Sequence, residues 1–206
     1  MKSKYLKNGA ATLKKSYAPD LYLALLHYPV VNKNGEIITS AVTNLDLHDI
    51  ARASKTYGIR RFYVVTPLQD QKKLLEKILS HWISGSGASY NRIRGDALEI
   101  VRIKDTLQDV LEDIRIKSGC QAKTVVTTAK KNFRNIGFQS LRKILEGGTP
   151  HVLLFGTAWG LSDDFLEQAD FILDPIMGDA DYNHLSVRSA VSIILDRLKG
   201  DAARAL

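Results

Sequence analysis

The sequence predicts an α/β domain built on a mainly parallel sheet flanked by helices. From residue 21 onward, short apolar runs alternate with stretches of helical periodicity, the order that parallel crossover units leave in a chain. The apolar runs are rich in β-branched and aromatic residues and are bounded by polar or turn residues, as strands are. With 206 residues, 45% of them hydrophobic and 25% charged, the chain is long enough to bury a full core without metals or crosslinks.

Strands are expected over 21–27, 61–66, 98–103, 124–128 and 152–155, with a short one over 171–173. Between the first two, Asp46 stands where a helix N-cap should, and Leu47, Ile50 and Ala51 supply an apolar face. A helix over 47–57 follows, ended by Gly58. Gln71, Leu75, Ile78, Leu79 and Trp82 form one helical stripe. Leu107, Val110, Leu111 and Ile114 form a second, and Phe138, Leu141, Ile144 and Leu145 a third. All three read as core faces. In the last helix Val187, Ala190, Val191, Ile194, Leu195 and Leu198 require an apolar partner surface, which is the sheet, a second subunit or both. Two segments read as long loops. Residues 30–43 contain the turn signal Asn32-Lys33-Asn34-Gly35, and 84–89 are small and polar, equally compatible with a functional loop and with disorder. The chain divides into a basic arm over 1–18, a single domain over 19–200 and a tail over 201–206.

Charge and composition narrow the function. The arm carries Lys2, Lys4, Lys7, Lys14 and Lys15 without an acidic residue, but no apolar run of about 7–15 residues follows it. No segment approaches the ~18 apolar residues of a membrane span. A cytoplasmic protein that does not enter membranes is expected. The single cysteine, Cys120, forms no internal disulfide and reads as a partly buried residue before a strand in a reducing compartment. The net charge of +7 favours a polyanionic partner. Basic groups at Arg60 and Arg61, Lys72 and Lys73, Arg92 and Arg94, and Lys130, Lys131 and Arg134 read as solvated faces. The five histidines lack metal-ligand spacing, so no metal is expected. No phosphate-binding glycine loop occurs, and the first strand leads into Tyr28-Pro29 with no glycine until Gly35, which argues against a dinucleotide-binding domain.

The chemistry concentrates between Val152 and Leu195. The run Val152-Leu153-Leu154-Phe155 ends in Gly156-Thr157-Ala158-Trp159-Gly160-Leu161-Ser162, a glycine turn at the carboxyl end of a strand, where open α/β sheets bind ligands. Gly156 and Gly160 either let backbone approach a ligand or simply make the turn. Further on, Asp174-Pro175-Ile176-Met177-Gly178 and Tyr182-Asn183-His184-Leu185-Ser186 open the last helix, with Asn183 or Ser186 as its cap.

These two segments resemble motifs 2 and 3 of the SPOUT superfamily, the α/β-knot RNA methyltransferases. The likeness is most specific in Leu154-Phe155-Gly156 with Gly160-Leu161-Ser162, and in Ile176-Met177-Gly178 with Leu185-Ser186-Val187. It extends over 21–200 in element order and is nearest to a small stand-alone bacterial subfamily. The resemblance implies a C-terminal deep trefoil knot, an exception to the rule against threaded loops. It also implies S-adenosylmethionine bent in that knot, an RNA substrate (tRNA or rRNA) and a homodimer with the last helix near its interface. Carried onto this chain, the cofactor residues are Thr127, Thr128, Ala129, Phe155, Gly156, Thr157, Gly160, Ile176, Gly178, Leu185 and Ser186. Arg52, six residues before Gly58, matches the arginine of motif 1 in the ribose-methylating branch, which implies a place near the methyl group; a surface arginine is the alternative.

That branch has Asn where Asp46 stands and Asn-Glu where Thr157-Ala158 stands, so a base nitrogen is a target alongside the ribose 2'-hydroxyl. Asp46, Asp181 and His184 are then candidate proton acceptors. Tyr28, Tyr182 and Arg188 are either RNA contacts, by stacking and by guanidinium bonds, or core and hydrogen-bonding residues. The competing reading is a non-catalytic RNA-binding protein that keeps the knotted fold, with which Trp159 and the missing Asn-Glu pair are compatible.

Overall fold

A computed structural model describes residues 20–131, 134–180 and 182–201. The basic arm over 1–18, the tail beyond Asp201 and Asp181 lie outside the described residues.

The chain runs β1 (Leu21–Leu26), β2 (Val30–Val31), β3 (Ile37–Ile38), α1 (Asn44–Thr56), β4 (Phe62–Val65), α2 (Gln69–Ile83), α3 (Ser86–Tyr90), α4 (Arg92–Leu98) and β5 (Val101–Lys104). It continues through α5 (Leu107–Ser118), β6 (Lys123–Thr127), β7 (Asn135–Ile136), α6 (Phe138–Leu145), β8 (His151–Gly156), α7 (Asp163–Glu167), β9 (Phe171–Leu173) and α8 (Val187–Lys199). Seven strands form one sheet in the order β5-β4-β1-β8-β6-β9-β7, and its pairings are parallel.

Alternate residues of β1 serve different layers. Leu21, Leu23 and Leu25 pack with Leu47 and Ile50 of α1, Leu75 of α2, Leu98 of α4, Leu141 of α6 and Val191 and Leu195 of α8. Tyr22, Ala24 and Leu26 face Val110 and Ile114 of α5 and Leu166 of α7. Both faces of the sheet are covered, which is why its central strands read as unbroken apolar runs instead of alternating ones. The α8 stripe is satisfied inside the chain: Val191, Ile194, Leu195 and Leu198 are buried in this core. Of the surfaces open to that stripe in the sequence, its own domain is the one it uses.

Several local expectations are corrected. The N-cap of α1 is Thr43, not Asp46; the Thr43 hydroxyl accepts the Asp46 N–H at 3.2 Å, placing Asp46 in the first turn. Residues 30–43 are not a plain loop but carry the antiparallel pair β2 and β3, turned at Asn32, whose side chain accepts the N–H groups of Asn34 and Glu36. The run over 98–103 starts too early as a strand, because Leu98 is the buried last residue of α4. Residues 84–89 are neither disordered nor a free loop, since α3 lies tight on α2. A Cβ on Gly87 would come within 2.7 Å of the Trp82 ring, and one on Gly95 within 2.6 Å of the Trp82 carbonyl. Small residues there serve close helix packing. Cys120 is exposed, not partly buried, because the left-handed Gly119 ends α5 and turns the chain outward.

Away from the strand ends, one polar cluster fastens α5 to the sheet. The hydroxyl of the fully buried Tyr63 donates to Asp113 at 2.6 Å, Lys117 donates to the same carboxylate at 2.5 Å, and Lys104 lies 3.5 Å away. Burial works against the Asp113 charge, but the Lys117 and Tyr63 hydrogen bonds and the Lys104 charge outweigh it and hold the carboxyl at about 2. Its stabilisation is therefore present above the ordinary 3.8 and fades as pH falls toward 2. Asp113→Ala, which leaves the Tyr63 hydroxyl buried and unpaired, is expected to cost about 1–3 kcal/mol in urea unfolding at neutral pH. An unchanged midpoint would refute the role given to this cluster.

Candidate functional site

The order of the strands makes the site. From β1 the chain builds β4 and β5 on one side, crosses to β6, and later inserts β8 between β1 and β6. Around this reversal, the carboxyl ends of β1, β8, β6 and β9 open on the same edge of the sheet, the crevice where such sheets take ligands.

The glycine turn after β8 is folded back on itself. A Cβ on Gly156 would lie 2.9 Å from the Leu161 side chain and 3.0 Å from the Gly160 carbonyl carbon, so glycine here serves the return of the turn's own backbone. Gly160 has φ +96°, and Ala158 occupies the left-handed region at φ 53°, a strained conformation for alanine. Hairpin β2–β3 straps the turn from outside: Val31 N–H donates to the Gly160 carbonyl at 2.9 Å and Trp159 N–H to the Val31 carbonyl at 3.1 Å.

Thr157 ties the turn to β1. Its N–H and hydroxyl both donate to the Leu26 carbonyl, at 3.2 and 3.1 Å. Its hydroxyl also meets that of Ser40, which in turn lies 3.0 Å from Nδ1 of His27, while the Ser40 N–H donates to the His27 carbonyl at 2.9 Å. His27 is fully buried and its Nε2 has no hydrogen-bond partner of good geometry among the described residues. Burial pulls its pKa down to about 4, against the opposing pull of Asp46 and the Ala41 carbonyl. Sequence reasoning missed His27 and Ser40 because the contact joins residues far apart in the chain through ordinary side chains.

The second wall comes from β6 and from the chain after β9. The Thr127 hydroxyl donates to the Leu154 carbonyl at 3.0 Å, and the Thr128 hydroxyl accepts the Lys130 N–H at 3.1 Å. Asn183 reaches across to donate to the Ala129 carbonyl at 2.9 Å, binding the two segments together. Ser186 caps α8, so the choice between Asn183 and Ser186 is decided by this division of labour. From Pro175 to Leu185, among the described residues, no main-chain group hydrogen-bonds to another main-chain group. Ile176 packs on the core, nothing lies near where a Gly178 side chain would stand, and Met177, Leu185 and Tyr182 are exposed. Apolar side chains beside free backbone donors and acceptors fit a flat heteroaromatic ring read through main chain.

The expected catalytic residues separate into two places. The buried Asp46 accepts the Thr43 hydroxyl at 2.5 Å on one oxygen and Arg188 at 3.2 Å on the other, and Arg188 lies 3.6 Å from Asp49. Arg52 and Arg188 line a shallow groove of about 590 Å³ between the outer faces of α1 and α8, with Asp49, Thr56 and Ser192. The structure thus sets the ends of β6 and β8 side by side, ties the segment after β9 to Ala129 through Asn183, and sets Arg52 in the groove beside α8. His184 is exposed, its ring 5.5 Å from that of Tyr182, and Tyr28 is 41% exposed just beyond β1. The described residues hold no cluster of potential metal ligands, and no helix among them is long and apolar enough to cross a membrane.

Residues 20–200 match a family model described as SAM-dependent RNA methyltransferase. A tRNA (guanine-N(1)-)-methyltransferase of Oleidesulfovibrio alaskensis is 48% identical over 183 residues, 89% of this chain and 43% of that protein. The chain spans less than half the length of this relative. An uncharacterized protein of Aquifex aeolicus is 39% identical over 180 residues, 87% of this chain and 88% of that one. The solved A. aeolicus TrmH/SpoU tRNA modifying enzyme shares 19% identity with a TM-score of 0.53, covering 92% of this chain and 79% of that chain, a likeness of fold.

His27 makes the site's frame sensitive to acid. The fold prefers the neutral ring, so the unfolded chain binds the extra proton between its ordinary 6.5 and about 4. Stability is full above pH 6.5 and is expected to fall by up to about 3 kcal/mol as pH drops to 4. His27→Asn should flatten the pH dependence of the unfolding midpoint in that window, leaving the smaller slope from His48 and His151, whose pKa values burial also lowers. An equal slope in the variant would remove His27 from this account.

Proposed function

The chain belongs to the S-adenosylmethionine-dependent RNA methyltransferases of the SPOUT superfamily, and on that premise we propose that it methylates a tRNA or rRNA at a base nitrogen or a ribose 2'-hydroxyl. The observation that carries this reading is the crevice at the strand ends, walled by the strapped glycine turn and by a stretch of chain with free main-chain groups. The guanine N1 activity in the name of the Oleidesulfovibrio protein belongs to a molecule of which this chain matches 43%.

S-adenosylmethionine, when bound, supplies a methyl carbon on a positively charged sulfur, a leaving group that needs no acid. The protein's task is positioning. We assign the adenine moiety to Phe155, Gly156, Thr157 and Gly160 on one side and to Ile176, Gly178, Leu185 and Ser186 on the other, with Thr127, Thr128 and Ala129 closing the floor. With the methyl group supplied by the bound donor, the residues of this chain would orient the RNA nucleophile and supply the base that accepts the proton it gives up. His184, exposed beside Tyr182, is that base in our reading. Asp46, whose oxygens already accept Thr43 and Arg188, holds α8 against α1 and does not take the proton. Tyr28 and Tyr182 offer rings to an unpaired nucleotide. Arg188 would reach a phosphate only by releasing Asp46 or Asp49.

Three further parts belong to this proposal. β9 lies between β6 and β7, two strands joined directly by the segment over 128–134, which supports a knot in which the chain after β9 is threaded through that connection. The groove faces of α1 and α8 are the surface we assign to a homodimer, in which the exposed Arg52 serves the partner's site. We propose the cytoplasm as the compartment in which it meets its RNA.

Calorimetric titration with S-adenosylmethionine and its demethylated product should show saturable binding. Failure of both to bind would sink the methyltransferase reading. Incubating total RNA with labelled methyl donor and mapping the modified nucleotide identifies the atom. Arg52→Ala is then expected to leave cofactor affinity nearly intact while lowering methyl transfer by about a hundredfold; an equal loss of both would place Arg52 in the cofactor pocket.

A further inference from the structure

The turn between α3 and α4 carries an exposed aromatic ring and arginines on a rigid base. Tyr90, the last residue of α3, is 87% exposed, and Ile93, in the first turn of α4, is 82% exposed. Between them, Asn91 caps α4 by accepting the Arg94 N–H at 3.1 Å. Arg92 is exposed, and Arg94 stacks its guanidinium 4.5 Å over the Trp82 ring. Neither guanidinium forms an ion pair among the described residues, and neither does that of Arg52. Asp96 stands one turn after Arg92 on α4 without forming an ion pair with it, and Glu99 caps the far end of the helix.

This turn is continuous with the helix that carries Arg52. His48, one turn before Arg52 on α1, sets its ring edge-on to Trp82 at 5.6 Å. Burial lowers the His48 pKa first; the positive charge of Arg94 lowers it further, Asp49 opposes this, and Arg52 adds a smaller lowering, so both arginines reach His48. The glycines at 87 and 95 hold α3 and α4 against Trp82 with no room for a side chain. Tyr90 and Ile93 are therefore displayed from a packed base and do not hang on a mobile loop. An exposed ring held in place loses little freedom when a base stacks on it.

We propose that the α3–α4 turn is a docking surface for single-stranded RNA, with Tyr90 stacking on an unpaired base, Ile93 widening the apolar platform, and Arg92 and Arg94 neutralising the flanking phosphates. The inference rests on the proposed RNA substrate and adds to it a surface that grips the strand away from the cofactor crevice. Unpaired like charges on this patch favour a polyanion over a second copy of the same face.

The test uses a fluorescent single-stranded oligoribonucleotide of mixed sequence, its duplex form, and calorimetry with the demethylated cofactor product on every variant. Tyr90→Ala should weaken binding of the single strand by about tenfold, with little change in the salt slope. Arg92→Ala should weaken it and reduce the slope of log K against log salt by about 0.7. The duplex should bind more weakly than the single strand, since it offers no free base to the ring. Both side chains are exposed, so melting temperatures should not move. Unchanged RNA affinity in Tyr90→Ala and Arg92→Ala would overturn the proposal. So would a change of oligomeric state in Tyr90→Ala with RNA affinity intact, which would make the turn a contact between chains. Loss of cofactor-product binding in the parent protein would count against the methyltransferase reading, while the RNA titrations would still decide this surface.

Discussion

Six parallel pairs join Leu21–Leu26 to His151–Gly156, and the remaining architecture follows from that ladder. Because β8 arrives late in the chain and enters between β1 and β6, it must be apolar on both sides and flanked at once by two strands already in place. Its register sets Gly156 beside Leu26, so the turn leaving β8 passes directly over the end of β1. There the Leu26 carbonyl, with no further strand partner to take it, receives two bonds from Thr157. A sheet-level constraint thereby decides where the ligand crevice opens and what its rim is made of.

The rim itself trades local comfort for shape. Ala158 sits at positive φ, His27 keeps one buried ring nitrogen without a partner of good geometry, and the Thr157 and Ser40 hydroxyls are committed to each other and to β1. Such features cluster where a scaffold must hold a backbone in one conformation for a ligand. They also give physical meaning to the departure from the Asn-Glu pair of the ribose-methylating branch: in this chain the first position is used to fasten the turn, and the second is an apolar residue facing solvent. The helical layer of α1, α3, α4 and α8 carries Arg52, Tyr90, Arg92, Arg94 and Arg188.

On that layer charges are sorted into two kinds. Arg188 is neutralised by Asp46 and Asp49 and joins the start of α8 to α1. Arg52, Arg92 and Arg94 form no ion pair among the described residues. A net charge of +7 by itself does not distinguish these cases, because it counts a structural arginine and a free one alike.

Periodicity and composition were enough to read the parallel α/β class, the apolar stripes of α2, α5, α6 and α8, and the glycine turn, since each depends on neighbours within a few residues. The turn signal at Asn32–Gly35 was also present, flanked by Val30-Val31 and Ile37-Ile38, and the hairpin it makes was legible had the flanking pairs been weighed as strands. Tertiary structure alone decided the rest. It alone showed that Thr43 takes the cap from Asp46, that Gly87 and Gly95 lie where Trp82 leaves no room for a side chain, and that the α8 stripe packs on its own core. It alone also separated Arg188, held by two carboxylates, from arginines that form no ion pair among the described residues. Each of these turns on atoms brought within a few ångströms from distant parts of the chain. A local pattern records what a residue can do, and the packing determines which of those possibilities its neighbours leave open.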